Sequence, residues 1–124
     1  MSRLVFVYGT LRRGQRNDIH RYQPAPRFVA NAEIDGTLYH LGAYPGVVLG
    51  TGGSVVGEVY EIKPELERQL DALERITSRA DDEYFKREIS VSVNGLMQIC
   101  LTYEINPDFT QGKPVIASGD WVRG

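Results

Sequence analysis

Asn94-Gly95 stands between two runs of apolar residues mixed with polar ones, Phe85 to Val93 and Leu96 to Tyr103. Asn-Gly is the pair that a two-residue hairpin turn takes, because both central positions need positive φ. The chain is therefore committed to at least one antiparallel hairpin, with Ile89, Val91 and Val93 sharing one face. Asp35-Gly36 offers a second turn of this kind, between Phe28–Ile34 and Thr37–Leu41. Leu4 to Tyr8 is a short β-branched and aromatic run stopped by Gly9, the pattern of a buried strand that delivers a loop. Val47 to Leu49, a Gly-Thr-Gly-Gly turn and Val55 to Ile62 add further strand material. Pro64 fits the first turn of a helix, and Leu66, Leu70 and Leu73 give it one apolar stripe. Gly14 to Tyr22 has room for one or two helical turns. Many short strands in hairpins with one good helix predict an α+β fold. The expected architecture is a small, mostly antiparallel β-barrel with flanking short helices, since closure removes exposed edges.

The 124 residues are expected to form a single domain over 1–124. A formal charge of −2 argues against nucleic acid or a membrane as partner. The single cysteine, Cys100, cannot form an internal disulfide, and Met1 to Val7 is too short an apolar run for a signal peptide. A cytoplasmic location is the expectation. His20 and His40 have no partner at metal-ligand spacing, so no metal site is expected. Cys100 and Trp121 read as core residues, and Asp81-Asp82-Glu83 as a solvated acidic loop. Arg12, Arg13, Arg16 and Arg21 make a local basic cluster that fits a solvated face or contacts to a substrate carboxylate.

Two places could carry chemistry. At Tyr8-Gly9-Thr10-Leu11, Gly9 lets a ligand approach the main chain, whose N–H groups can hold a carboxylate or polarise a carbonyl. The same loop also fits a plain strand-ending turn. Glu74 follows Leu73 at the C-terminal end of the helix, where the helix dipole disfavours an anion. A carboxyl there can have its pKa raised toward that of a base working near neutral pH, or can be a solvated charge beside Arg75.

These pieces, in order along nearly the whole chain, resemble the γ-glutamylcyclotransferase-like family. The resemblance rests on Val7-Tyr8-Gly9-Thr10-Leu11-Arg12-Arg13-Gly14, Tyr44-Pro45-Gly46 and Val56-Gly57-Glu58-Val59-Tyr60. It continues through Leu70-Asp71-Ala72-Leu73-Glu74, Tyr84 with Arg87, Tyr103 and Ser118-Gly119-Asp120-Trp121. It implies a small central barrel with flanking helices, a pocket at Tyr8 to Leu11 for a γ-glutamyl group, and Glu74 as general acid/base. Tyr84 and Tyr103 are implied as pocket walls. The implied reaction turns a γ-glutamyl amide into 5-oxoproline and a free amine, with no cofactor and a small-molecule substrate. The alternative is a non-catalytic module that keeps the pocket for a small ligand or partner. One departure stands out: Glu74 and Tyr84 are 84 − 74 = 10 positions apart, a longer spacer than the family's usual one, with Thr77 to Asp82 as the extra loop.

Overall fold

The computed structural model describes residues 2–124. In chain order it contains β1 (Arg3–Val7), a 3-10 turn at Ile19–Arg21, β2 (Arg27–His40) and β3 (Pro45–Ile62). Then come α1 (Pro64–Leu73), β4 (Tyr84–Val93), β5 (Leu96–Ile105) and a second 3-10 turn at Pro107–Phe109. The strands form one mixed five-stranded sheet in the order β2-β3-β1-β5-β4. Among the described residues no helix is long and apolar enough to cross a membrane.

β1 lies between two neighbours, antiparallel to β3 and parallel to β5. Its residues alternate between two cores, as a strand's side chains must. Val5 and Val7 pack with Leu66 and Leu70 of α1, whereas Phe6 and Tyr8 pack with Ile34 and Leu38 of β2 and Val91 and Val93 of β4. Being covered on both faces explains why this strand reads as a continuous apolar run. Helix α1 begins with Pro64, carries Glu65 and Glu67 in its first turn, and buries Leu66 and Leu70 completely. Each of those leucines contributes about 1.5–3 kcal/mol by leaving water. Leu73, the third residue of the expected stripe, stays 38% exposed.

The Asn94-Gly95 hairpin forms as expected, with φ of 50° and 84° at its two turn residues and β4 paired to β5 from Tyr84↔Ile105 to Val93↔Leu96. Two other expectations need correction. Asp35-Gly36 is not a turn, because β2 runs straight through it. The irregularity sits on the partner strand. Opposite Asp35 is Ser54, opposite Gly36 is Leu49, and residues 50–53 bulge out between them. Gly50 and Gly52 take the positive φ values of that bulge, and the Asp35 carboxylate accepts a hydrogen bond from the Gly52 N–H at 2.6 Å. The second correction is the barrel, which is not closed. β2 and β4 stand at the two ends of the strand order, and no ladder joins them. They curl toward each other so that side chains, rather than backbone pairing, fill the space between them. Hairpin counting also missed that β1 is inserted between β3 and β5, where its pairing with β5 is parallel. The flanking helices amount to α1 and the two 3-10 turns.

Candidate active site

β1 ends at Val7, and the chain then turns sharply through Tyr8 to Leu11. The turn is built from inside: the Arg12 N–H donates to the Gly9 carbonyl at 3.0 Å, Asn17 N–H to the Thr10 carbonyl at 2.9 Å, and Ile19 N–H to the Leu11 carbonyl at 2.9 Å. The backbone N–H groups of Thr10 and Leu11 find no partner among the described residues. Gly9 is required by a close approach rather than by a special dihedral. A Cβ there would lie 2.7 Å from Cγ of the Pro45 ring.

Beneath the loop lies a charged brace. Glu58 of β3 is 7% exposed and accepts hydrogen bonds from Arg12 Nε at 3.0 Å, the Arg13 N–H at 3.0 Å and the Tyr60 hydroxyl at 2.8 Å. Arg12 reaches on to Asp120 Oδ1 at 2.8 Å. Burial alone would raise the Asp120 carboxyl, but this guanidinium and the Val122 and Arg123 N–H groups outweigh it and hold the pKa low. Arg12 is therefore not part of a solvated cluster. Arg13 lies over the Phe28 ring, 5.3 Å from its centroid, and Arg21 binds the Arg16 carbonyl at 3.0 Å.

Above the loop opens a cavity of about 310 Å³. All seven residues expected at a site line it: Tyr8, Gly9, Thr10, Leu11, Glu74, Tyr84 and Tyr103. Three tyrosines are pinned. The Tyr8 hydroxyl donates to the Tyr103 carbonyl at 2.6 Å, Tyr84 to the Pro45 carbonyl at 2.7 Å, and Tyr103 to Asp71 Oδ1 at 2.6 Å. Burial is the first cause that pushes each of these hydroxyls upward, so they act as neutral donors. Asp71 is itself held by Lys86 Nζ at 2.8 Å.

Glu74 caps the C-terminus of α1, its N–H donating to the Leu70 carbonyl at 3.0 Å. Its carboxyl is pushed up to about 7, first by burial and then by the neighbouring charge of Glu83. The direction is the one that the helix-end argument expects; the main cause is desolvation. Arg75 forms no ion pair with it among the described residues. A half-buried carboxyl with a proton affinity near neutral can both accept and return a proton.

The structure adds residues that the sequence reading did not assign. Tyr44, Glu83, Asn17 and Arg75 also line the cavity, and so does Arg16, which the basic cluster had offered for a substrate carboxylate. Tyr44 had a signal, since Tyr44-Pro45-Gly46 belongs to the family resemblance. Glu83 had none, because an acidic run in a loop looks solvated. That run divides into three. Asp81 is exposed beside Arg79, Asp82 is tied to the Thr77 N–H and hydroxyl, and Glu83 turns to the cavity. Trp121 packs against the core, with His40 tilted on it at 5.3 Å between ring centroids, and Cys100 is fully buried.

A mixed sheet whose first strand ends at a ligand-sized cavity, with a carboxyl that burial raises in its wall, defines a small α+β protein with one candidate site. The chain belongs to the gamma-glutamyl cyclotransferase, AIG2-like family, whose model matches residues 5–123. A Vibrio cholerae member of the family is 37% identical over 125 residues, covering 99% of this chain and 98% of its own. The gamma-L-glutamyl-butirosin B gamma-glutamyl cyclotransferase of Niallia circulans is 34% identical over 84% of this chain and 67% of its own length. The crystal structure of YkqA from Bacillus subtilis superposes with a TM-score of 0.76 at 31% identity, over 99% of this chain and 40% of that longer one. Membership supports an activity of the γ-glutamyl cyclotransferase type.

Proposed function

We propose that the chain converts a γ-glutamyl amide or γ-glutamyl amino compound to 5-oxoproline and a free amine, with Glu74 as general acid/base. The observation that carries this reading is Glu74 itself: a carboxyl raised to about 7 by burial, facing the cavity that the Tyr8–Leu11 loop also lines. The substrate brings its own nucleophile. Its α-amino group closes a five-membered ring on the γ-carbonyl, so the protein's main task is to hold the near-attack shape. Two protons must leave the α-nitrogen and two must reach the departing nitrogen as the new C–N bond forms and the amide C–N bond breaks. Glu74 takes one proton from the α-ammonium and passes it to the departing nitrogen, then carries the second by the same route and ends ionised as it began. The free N–H groups of Thr10 and Leu11 are suited to the substrate carboxylate or the transient oxyanion. Tyr84 and Tyr103 wall the γ-glutamyl group.

On the same reading, residues 1–124 work as one domain on a small molecule in the cytoplasm, where the buried thiol of Cys100 stays reduced. The test is a panel of γ-glutamyl amides and amino acids with 5-oxoproline release as readout. Glu74→Gln should lower turnover by about two to four orders of magnitude while ligand still binds. Turnover with the parent should also fall below about pH 7, as Glu74 becomes protonated. Near-normal turnover by the variant would remove Glu74 from the mechanism. Binding by the parent without turnover of any compound would make the chain a binding module.

A further inference from the structure

The cavity contains a second carboxylate that the reaction just described does not use. Glu83 stands immediately before β4 and lines the same cavity as Glu74. Its mount is rigid. The side chain of Asn106, itself 5% exposed, donates to the Ala80 carbonyl at 3.1 Å and the Asp82 carbonyl at 3.0 Å, and the Asn106 N–H donates to the Glu83 carbonyl at 2.8 Å. The Thr77–Asp82 pair closes the same loop. The Glu83 side chain is fixed as well, because the Tyr44 hydroxyl donates to Oε2 at 2.5 Å. That bond is the first cause, ahead of burial, that pushes the Tyr44 hydroxyl up to about 12. Tyr44 is thus the donor and Glu83 the acceptor. Oε1 has no protein partner among the described residues. The two arginines of the cavity wall, Arg16 and Arg75, make no ion pair with it.

A fixed carboxylate with one open oxygen in a small cavity is built to receive a cation. The γ-glutamyl substrate carries one, the α-ammonium. Glu74 is a poor permanent counter-charge, since its task is to become neutral. We propose that Glu83 is the anchor that receives the substrate's α-ammonium and presents it to Glu74. The proposal rests on the cyclotransferase reading for its substrate and divides labour between two carboxylates, one that binds and one that moves the proton. It also separates substrate from product. Cyclisation turns the ammonium into an uncharged lactam N–H, so 5-oxoproline offers Glu83 no cation and is held less tightly there.

The test uses Glu74→Gln protein, in which ligand is not consumed and Glu83 is the remaining carboxylate of the cavity wall. Three ligands are titrated by calorimetry: γ-glutamylethylamide, its deaminated analogue glutarate mono-ethylamide, and 5-oxoproline. The ammonium-bearing ligand should bind about tenfold or more tightly than the deaminated one. Adding Glu83→Gln should erase that difference while changing 5-oxoproline affinity less than about twofold. A preference that survives Glu83→Gln overturns the assignment, and so does a loss shared equally by all three ligands, which marks a structural role. Where the double variant does not fold, equal affinities of the two amides for the Glu74→Gln protein overturn it by themselves. In the otherwise unaltered chain, Glu83→Gln should raise KM with kcat within a few fold, the reverse of Glu74→Gln. Retained turnover by Glu74→Gln would sink the cyclotransferase base, and the ammonium preference would then be read with glutamate against glutarate, neither of which has an amide to cleave.

Discussion

If Glu74 is the base of the proposed reaction, catalysis and the fold make opposite demands on it. Its carboxyl is raised from 4.5 to about 7, so the folded chain binds this proton more tightly than the unfolded chain does. The stabilisation that follows is present in full below the unfolded pKa and disappears as pH rises through 7. Gln cannot ionise and escapes that loss. In urea titrations Glu74→Gln should therefore gain on the parent by about 2 kcal/mol between pH 5 and pH 8.5, a figure discounted for the side chain's partial contact with water. A constant gap across that range would mean that the carboxyl titrates in the fold as it does in the open chain. How much of this was legible differs from residue to residue. The place of Glu74 in the cavity wall was legible from its setting, Leu-Asp-x-x-Glu at a helix end. That of Glu83 was not, because its placement depends on Asn106, 23 positions further on (106 − 83), and only the fold brings the two together.

The end of α1 shows what an element requires to aim that carboxyl. Arg75 takes φ of 55°, a left-handed conformation usually left to glycine. The Arg75 N–H returns to the Ala72 carbonyl at 3.2 Å and the Ile76 N–H to the Asp71 carbonyl at 3.0 Å, the two bonds of a Schellman stop. Arginine is strained there, and Arg75→Gly should stabilise the chain by about 0.5–1 kcal/mol, read as a higher denaturation midpoint with an unchanged slope. A lower midpoint would show that the arginine side chain contributes more than its backbone strain costs. The helix itself was plain from Pro64, Leu66 and Leu70. Its stop was not, since neither glycine nor asparagine marks it. The long strands misled in a related way. Asp35-Gly36 carries turn chemistry, yet the neighbouring Gly50-Thr51-Gly52-Gly53 carries more and took the irregularity onto β3.

In the whole molecule, local pattern revealed the Asn94-Gly95 hairpin and missed the strand order, because nothing in β1 announces that its partner on one side is β5, some hundred residues away. The same holds for the brace that joins the loop after β1, the middle of β3 and the Ser118–Trp121 turn through Arg12, Glu58 and Asp120. Asp120→Ala would leave part of the Arg12 guanidinium buried without its carboxylate. The expected cost is about 2–4 kcal/mol in urea, together with weaker 5-oxoproline binding as the loop loosens. A drop in stability with unchanged binding would confine the brace to holding the fold. Inheritance should carry the same imprint. A sign change at Glu58 strands three donors at once, whereas charge-compensating paired changes at 12 and 120 leave the net charge of the brace as it is. Lineages of this chain should thus exchange these three positions as a set, and a hybrid gene joining the first loop of one lineage to the tail of another should fail more often than its percentage identity foretells.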